Sequence, residues 1–215
     1  MSTPSKKVSA RTTAAKAGKA ATKASASDRR GPSRPGRLLD PVLAALRKRV
    51  GKAGGDDATA FATAFYQRMG EDEIGLHEAD GWAALAADFL EFLARRKPGT
   101  ASVRLFNPTL ATHGWETQHT VLQIANDDMP FLVDSVTMAL AELGVGVHVL
   151  GHPVVELDRD RAGKLRGVGK GTPESLMHME IDRQSAEGCA RIEAAVRGVL
   201  EDVRLIVEDW LAMRE

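Results

Sequence analysis

The residues of this chain with the most obvious capacity for chemistry lie between positions 126 and 189. His148, His152, His178 and Glu180 are of metal-ligating types. His178 and Glu180, two apart, share one face of a strand, and His148 can reach them from a neighbouring strand. A zinc centre needs several convergent ligands with supporting partners. The sequence has neither a Cys pair nor a His-Glu-x-x-His helix, so no metal is expected and these groups are read as polar residues on a partly open sheet face. Gly167-Val168-Gly169-Lys170-Gly171-Thr172 resembles a phosphate loop but fails both patterns. A P-loop needs Gly at Lys164 and Ser or Thr at Gly171, and a dinucleotide loop needs Gly at Thr172 with a helix following. It is expected to be a mobile hairpin loop. Cys189 has no activating neighbours and reads as an idle thiol. No catalytic residue is assigned.

The most site-like segment is Asn126-Asp127-Asp128-Met129-Pro130, at a strand-to-helix junction. Free N–H groups at a helix start can hold a carboxylate or phosphate, and Asp127 and Asp128 can hold an ammonium group, a combination suited to an amino acid. The plainer alternative is that Asp128 caps the helix, with Pro130 in its first turn.

The elements that would position these groups follow from periodicity. Leu39, Val42, Leu43, Leu46 and Val50 mark a helix started by Asp40-Pro41 and ended at Gly51–Gly55. Phe61, Phe65 and Met69 mark a second helix, and Gly70–Asp80 is acidic and irregular. Trp82, Leu85, Phe89 and Phe92 mark a third helix, ended by Lys97-Pro98-Gly99. Strands are expected over Ser102–Phe106, His119–Ala125, Val145–Leu157 with a break at Gly151-His152-Pro153, and Ser175–Asp182. On the second strand Val121, Gln123 and Ala125 oppose Leu122 and Ile124. On the last, Leu176, His178 and Glu180 oppose Met177, Met179 and Ile181. Leu132, Val136, Leu140 and Leu143 mark a helix ended by Gly144. Asp158–Pro173 reads as a polar, Gly-rich loop. Ile192, Val196, Val199, Val203, Ile206, Trp210 and Met213 form a heptad-like seam on a final helix that Gly198 divides. The seam reaches the end of the chain, which reads as a truncated domain or the lead into another. The β-α-β-β-α run implies a ferredoxin-like α+β sandwich that lacks, or borrows, its last strand.

Composition separates two objects. Of 29 basic and 29 acidic residues, ten basic and one acidic lie in residues 1–37, so the tail carries +9 and the remainder −9. The tail has no Leu, Ile, Phe, Trp or Tyr, cannot offset its ordering entropy, and should be disordered. A solvated extension is the expected role. The composition also mimics an organellar transit peptide, and a basic tail can hold nucleic acid, but it lacks aromatics to stack on bases. The expected layout is 1–37 tail, 38–98 helical lead-in and 99–215 α+β domain. No apolar run suggests a membrane span, no secretory pattern opens the chain, and a single cysteine fits a reducing, cytoplasmic setting.

Asp128-Met129-Pro130-Phe131-Leu132-Val133 and Leu143-Gly144-Val145-Gly146-Val147 resemble the loop and strand start of an ACT domain. Longer stretches are similar to the N-terminal region of the large bacterial NAD-dependent glutamate dehydrogenases: Val103–Pro108, Gly114-Trp115, His119-Thr120-Val121, Asn126–Val136, His152-Pro153, Arg159-Asp160, Glu174–His178 and Val207–Trp210. The resemblance, over about residues 61–215, implies an ACT-like regulatory or assembly region of an enzyme oxidising L-glutamate to 2-oxoglutarate and ammonia. It implies that NAD binds a downstream domain and not this chain. Implied partners are downstream domains or other subunits, and an amino-acid effector. Phe131 stands where ligand-binding ACT domains usually carry Gly, and Gly146 where a polar ligand contact often sits. Assembly is therefore the role the resemblance favours.

Overall fold

The computed structural model describes residues 36–52, 54–67 and 78–213. The tail up to residue 35, Met69 and most of the acidic stretch after it lie outside the described residues, while the last two residues assigned to the tail, Gly36 and Arg37, open the first helix. Three helices come first: α1 (Gly36–Val50), α2 (Gly55–Tyr66) and α3 (Ala79–Phe92). Then follow β1 (Ser102–Phe106), the short α4 (Leu110–His113), β2 (Thr120–Asp127), α5 (Leu132–Glu142), β3 (Val147–Gly151), β4 (Val154–Arg159), β5 (Leu165–Val168), β6 (Thr172–Ile181) and α6 (Ala186–Ala212). The class is α+β with an antiparallel sheet, as expected.

The sheet runs β1-β2-β6-β4-β5, with β3 also on β6. β3 and β4 lie end to end along β6. β3 pairs with residues 178–181 and β4 with residues 172–175, the break falling at His152-Pro153, where a missing N–H would interrupt a ladder. The edge of β2 left open by the expected run is covered by β1, which pairs antiparallel with it from Ser102↔Ala125 to Phe106↔Val121.

Alternation on β2 and β6 sends side chains to two opposite faces, as predicted, and the structure buries each face in a core of its own. Leu122, Ile124, Met177, Met179 and Ile181 pack against Leu132, Val136 and Leu140 of α5 and Ile192, Val196, Leu200 and Val203 of α6. Val121, Ala125 and Leu176 pack against α1–α3, including Phe61, Phe65, Trp82 and Phe89. Phe61 and Phe65 stack at 5.7 Å and both meet Phe89 edge-on. Each ring so buried contributes about 2–3 kcal/mol. At His178 that face is closed by helices, and both His178 and Glu180 are buried. The partly open face expected from sequence is therefore closed over His178, and only its Glu180 end borders an opening.

Other local expectations are corrected. α1 begins upstream of Asp40-Pro41 and takes Pro41 inside it as its sixth residue, at the cost of the one backbone bond that an N–H there would make to the turn before it. α3 ends at Phe92, because the chain then pairs with the last hairpin. Leu165 donates to the Ala94 carbonyl, and Arg95 bridges Lys164. The predicted loop over 158–173 contains β5. Asp160 Oδ1 accepts from the N–H groups of Ala162 and Lys164, an Asx turn that reverses the chain. Gly198 does not divide α6, which is one 27-residue helix. No helix among the described residues is long and apolar enough to cross a membrane.

Candidate functional site

The β2–β6 ladder carries a polar cluster at each end. At the Asp127 end the ladder runs two residues further than alternation suggested, to Asn126↔Ser175 and Asp127↔Glu174. The Asp128 N–H still points to the Pro173 carbonyl. The turn is displaced downstream, so Asp128 does not cap α5 and Pro130 lies before its first turn. The cap position is Phe131, at φ 70° with no side-chain cap bond. This left-handed backbone is the one glycine adopts freely, and a larger residue is held there at a cost of about 1–2 kcal/mol.

Three guanidinium groups converge on two carboxylates here. Arg96, after α3, donates through Nε to Glu174 Oε2 and through Nη2 to Asp127 Oδ1, both at 2.8 Å. Arg159 grips both oxygens of Glu174 and donates to the Leu93 carbonyl. Arg204 of α6 reaches Asp127 Oδ2 at 2.9 Å and Asn126 Oδ1 at 2.8 Å. The Gly99 N–H also donates to Asp127 Oδ2. The Arg96 and Glu174 side chains are each 2% exposed. Burial opposes ionisation of both carboxyls, but hydrogen bonds and charge from Arg96, reinforced by Arg159 on Glu174 and by Gly99 and Arg204 on Asp127, hold both below the ordinary carboxylate range. Asp127 is thus committed internally and does not offer a free carboxylate to an ammonium group.

Of the five predicted site residues, Asn126 is buried, Asp127 and Met129 are half-buried, and Asp128 and Pro130 are exposed. Asn126 Nδ2 is buried with no hydrogen-bond partner among the described residues. It sits beside a cavity of about 140 Å³ also lined by Thr100, Arg197, Glu201 and Arg204.

The other end of the ladder holds an arrangement that sequence reasoning missed. His119 and His148 stack at 4.1 Å with 6° between their planes. His119 Nδ1 lies 3.2 Å from Glu180 Oε2, which also accepts from Thr117 Oγ1 at 2.6 Å. His148 Nε2 lies 2.7 Å from Asp182 Oδ1. The Gly146 N–H and His148 hold the Asp182 carboxyl below its ordinary range. Thr117, His119, His148 and Glu180 line an open cleft of about 720 Å³ with Glu116, Gln118 and Val149. The signal available in sequence was His119 one residue before β2, whose pairing across the sheet no local pattern reveals.

The other metal candidates disperse. His178 is enclosed by Phe65, Phe89 and Trp115 and contacts Gln123, while His152 bonds Ser175. Among the described residues no group of three or more His, Cys, Asp or Glu side chains is placed to hold a metal ion. The Gly167–Thr172 run forms the β5–β6 hairpin, with Gly169 at φ 89° and Gly171 at φ 127°. A Cβ at Gly171 would fall on the Leu157 carbonyl. A strand and not a helix follows, so this run offers no helix N-terminus to a pyrophosphate and does not fit a dinucleotide.

Comparison with known proteins adds a family. The model of the glutamate dehydrogenase ACT1 domain matches residues 61–196. NAD-specific glutamate dehydrogenase of Pseudomonas aeruginosa is 35% identical over 181 residues, which cover 79% of this chain and 11% of that protein. The enzyme of the same name from Halomonas elongata is 31% identical over 185 residues, covering 82% of this chain and 12% of that protein.

Proposed function

The chain belongs to the glutamate dehydrogenase ACT1 domain family, and from that premise we propose that it is a non-catalytic assembly segment of an NAD-dependent glutamate dehydrogenase. The parent reaction would convert L-glutamate, NAD and water to 2-oxoglutarate, ammonia and NADH on domains elsewhere in a much longer polypeptide. Its partners are those downstream domains or other subunits. The observation that carries this reading is the saturation of the junction. The polar groups that would greet an amino acid at Asp127 are consumed in tying α3, the sheet and α6 together. Such a lock makes a rigid block suited to packing against other domains.

Two measurements test it. Pure chain given L-glutamate and NAD should form no NADH; turnover would overturn the non-catalytic reading. In a full-length enzyme carrying this segment, its deletion should shift the oligomer on sizing columns, and an unchanged oligomer would overturn the assembly reading.

A second reading, an amino-acid effector, is favoured by the unpartnered amide nitrogen of Asn126 beside its small cavity. A ligand specific to the folded state raises the melting temperature. Titration with each amino acid should then raise it for at least one, and Asn126→Ala should abolish the rise.

A further inference from the structure

From the far half of α6 and the turn before α5 we infer a docking groove for a basic amphipathic helix. Pro130, Phe131, Ile206, Val207 and Trp210 line an almost wholly apolar pocket of about 310 Å³. Phe131, Ile206 and Trp210 are 64%, 61% and 47% exposed. The first half of the same helical seam is covered by the sheet and the second half is not. Phe131 holds a left-handed backbone that gives the chain no burial in return, and strain without packing benefit marks a place kept for something else. The pocket suits one or two anchoring side chains, the pattern by which a helix lies in a groove.

Charge selects the occupant. Asp128 and Asp134 flank Phe131 in sequence. Asp202 and Asp209 stand four before and three after Ile206 on one helix face, and all four are exposed. Arg204, the basic residue between Glu201 and Met213, is turned inward onto Asp127 and Asn126. An apolar pocket with an acidic surround fits a helix presenting leucine-like anchors between lysines or arginines. This inference rests on the assembly reading and names its surface. It fails separately, because the tests above do not involve the groove.

The probe is an 18-residue amphipathic helix of leucine and lysine, compared with the same peptide carrying glutamate for lysine. Trp82 and Trp115 are buried, so a blue shift of tryptophan emission on titration reports Trp210. Saturable binding of the lysine peptide is expected, at least about tenfold tighter than the glutamate peptide, weakening as salt screens the surround. Ile206→Asp should remove it, and Phe131→Gly should weaken it while melting no lower than the parent. Equal binding of the two peptides, binding of neither, binding unaffected by Ile206→Asp, or a dimer of the chain itself that Ile206→Asp dissolves would overturn the inference.

Discussion

The two ends of the β2–β6 ladder contain the same kinds of polar group and treat them oppositely. At the Asp127 end, charges from α6, β4 and the segment after α3 are buried or half-buried and paired until almost no donor or acceptor is left over. At the other end, His119 and His148 line an open cleft, His148 paired with the half-exposed Asp182 and His119 with the buried Glu180. A cluster of charged residues beside a helix start looks like a binding site in either setting. Saturation decides that the first is a structural lock, and access decides that the second is reachable by solvent.

The largest test of that contrast is Glu174→Ala. It strands Arg96 and Arg159 in the interior and should lower stability by about 3–5 kcal/mol in urea unfolding. A loss below about 1 kcal/mol would place the lock among ordinary surface pairs. Acid should act on the same end. The folded Asp127 and Glu174 carboxyls lie below their unfolded values, so their contribution is complete above the ordinary carboxylate range. It should disappear as pH falls through and below that range. Melting curves of the parent should show that decline, and Glu174→Ala should show less of it. Arg204→Ala removes one partly exposed partner and should cost about 1 kcal/mol, with exchange of the α6 amides near residue 204 rising. His148→Ala, at the open end, should shift the melting temperature by less than about 2 °C, since both partners there are near half-exposed. A larger drop would show that the histidine stack holds β3 to the sheet.

The contrast also marks what the sequence could disclose. Alternation at Val121–Ala125 and Leu176–Ile181 revealed both faces of the sheet, because strand side chains take opposite sides whatever lies beyond them. The seam from Ile192 was legible as a helix face, but not which half would be covered. Arg96 and Glu174 are 78 residues apart, and no local pattern carries such a pairing. Asp128 looked like a cap because cap preference is local, whereas the length of β2 is set by its partner β6. The β5 hairpin was hidden because its Asp160 turn and glycines share the composition of an irregular loop.

The strand added at the sheet edge bears on how the molecule reaches this form. Ser102 meets Ala125 across the β1–β2 ladder, while Thr120 meets Ile181 across the β2–β6 ladder. The outer pair closes a far shorter stretch of chain than the inner one. Closure over a longer stretch loses more entropy before any contact compensates, so β1 and β2 should zip together first and wait for β6. Truncating Val103 should then slow folding, while truncating Met177 should mainly hasten unfolding.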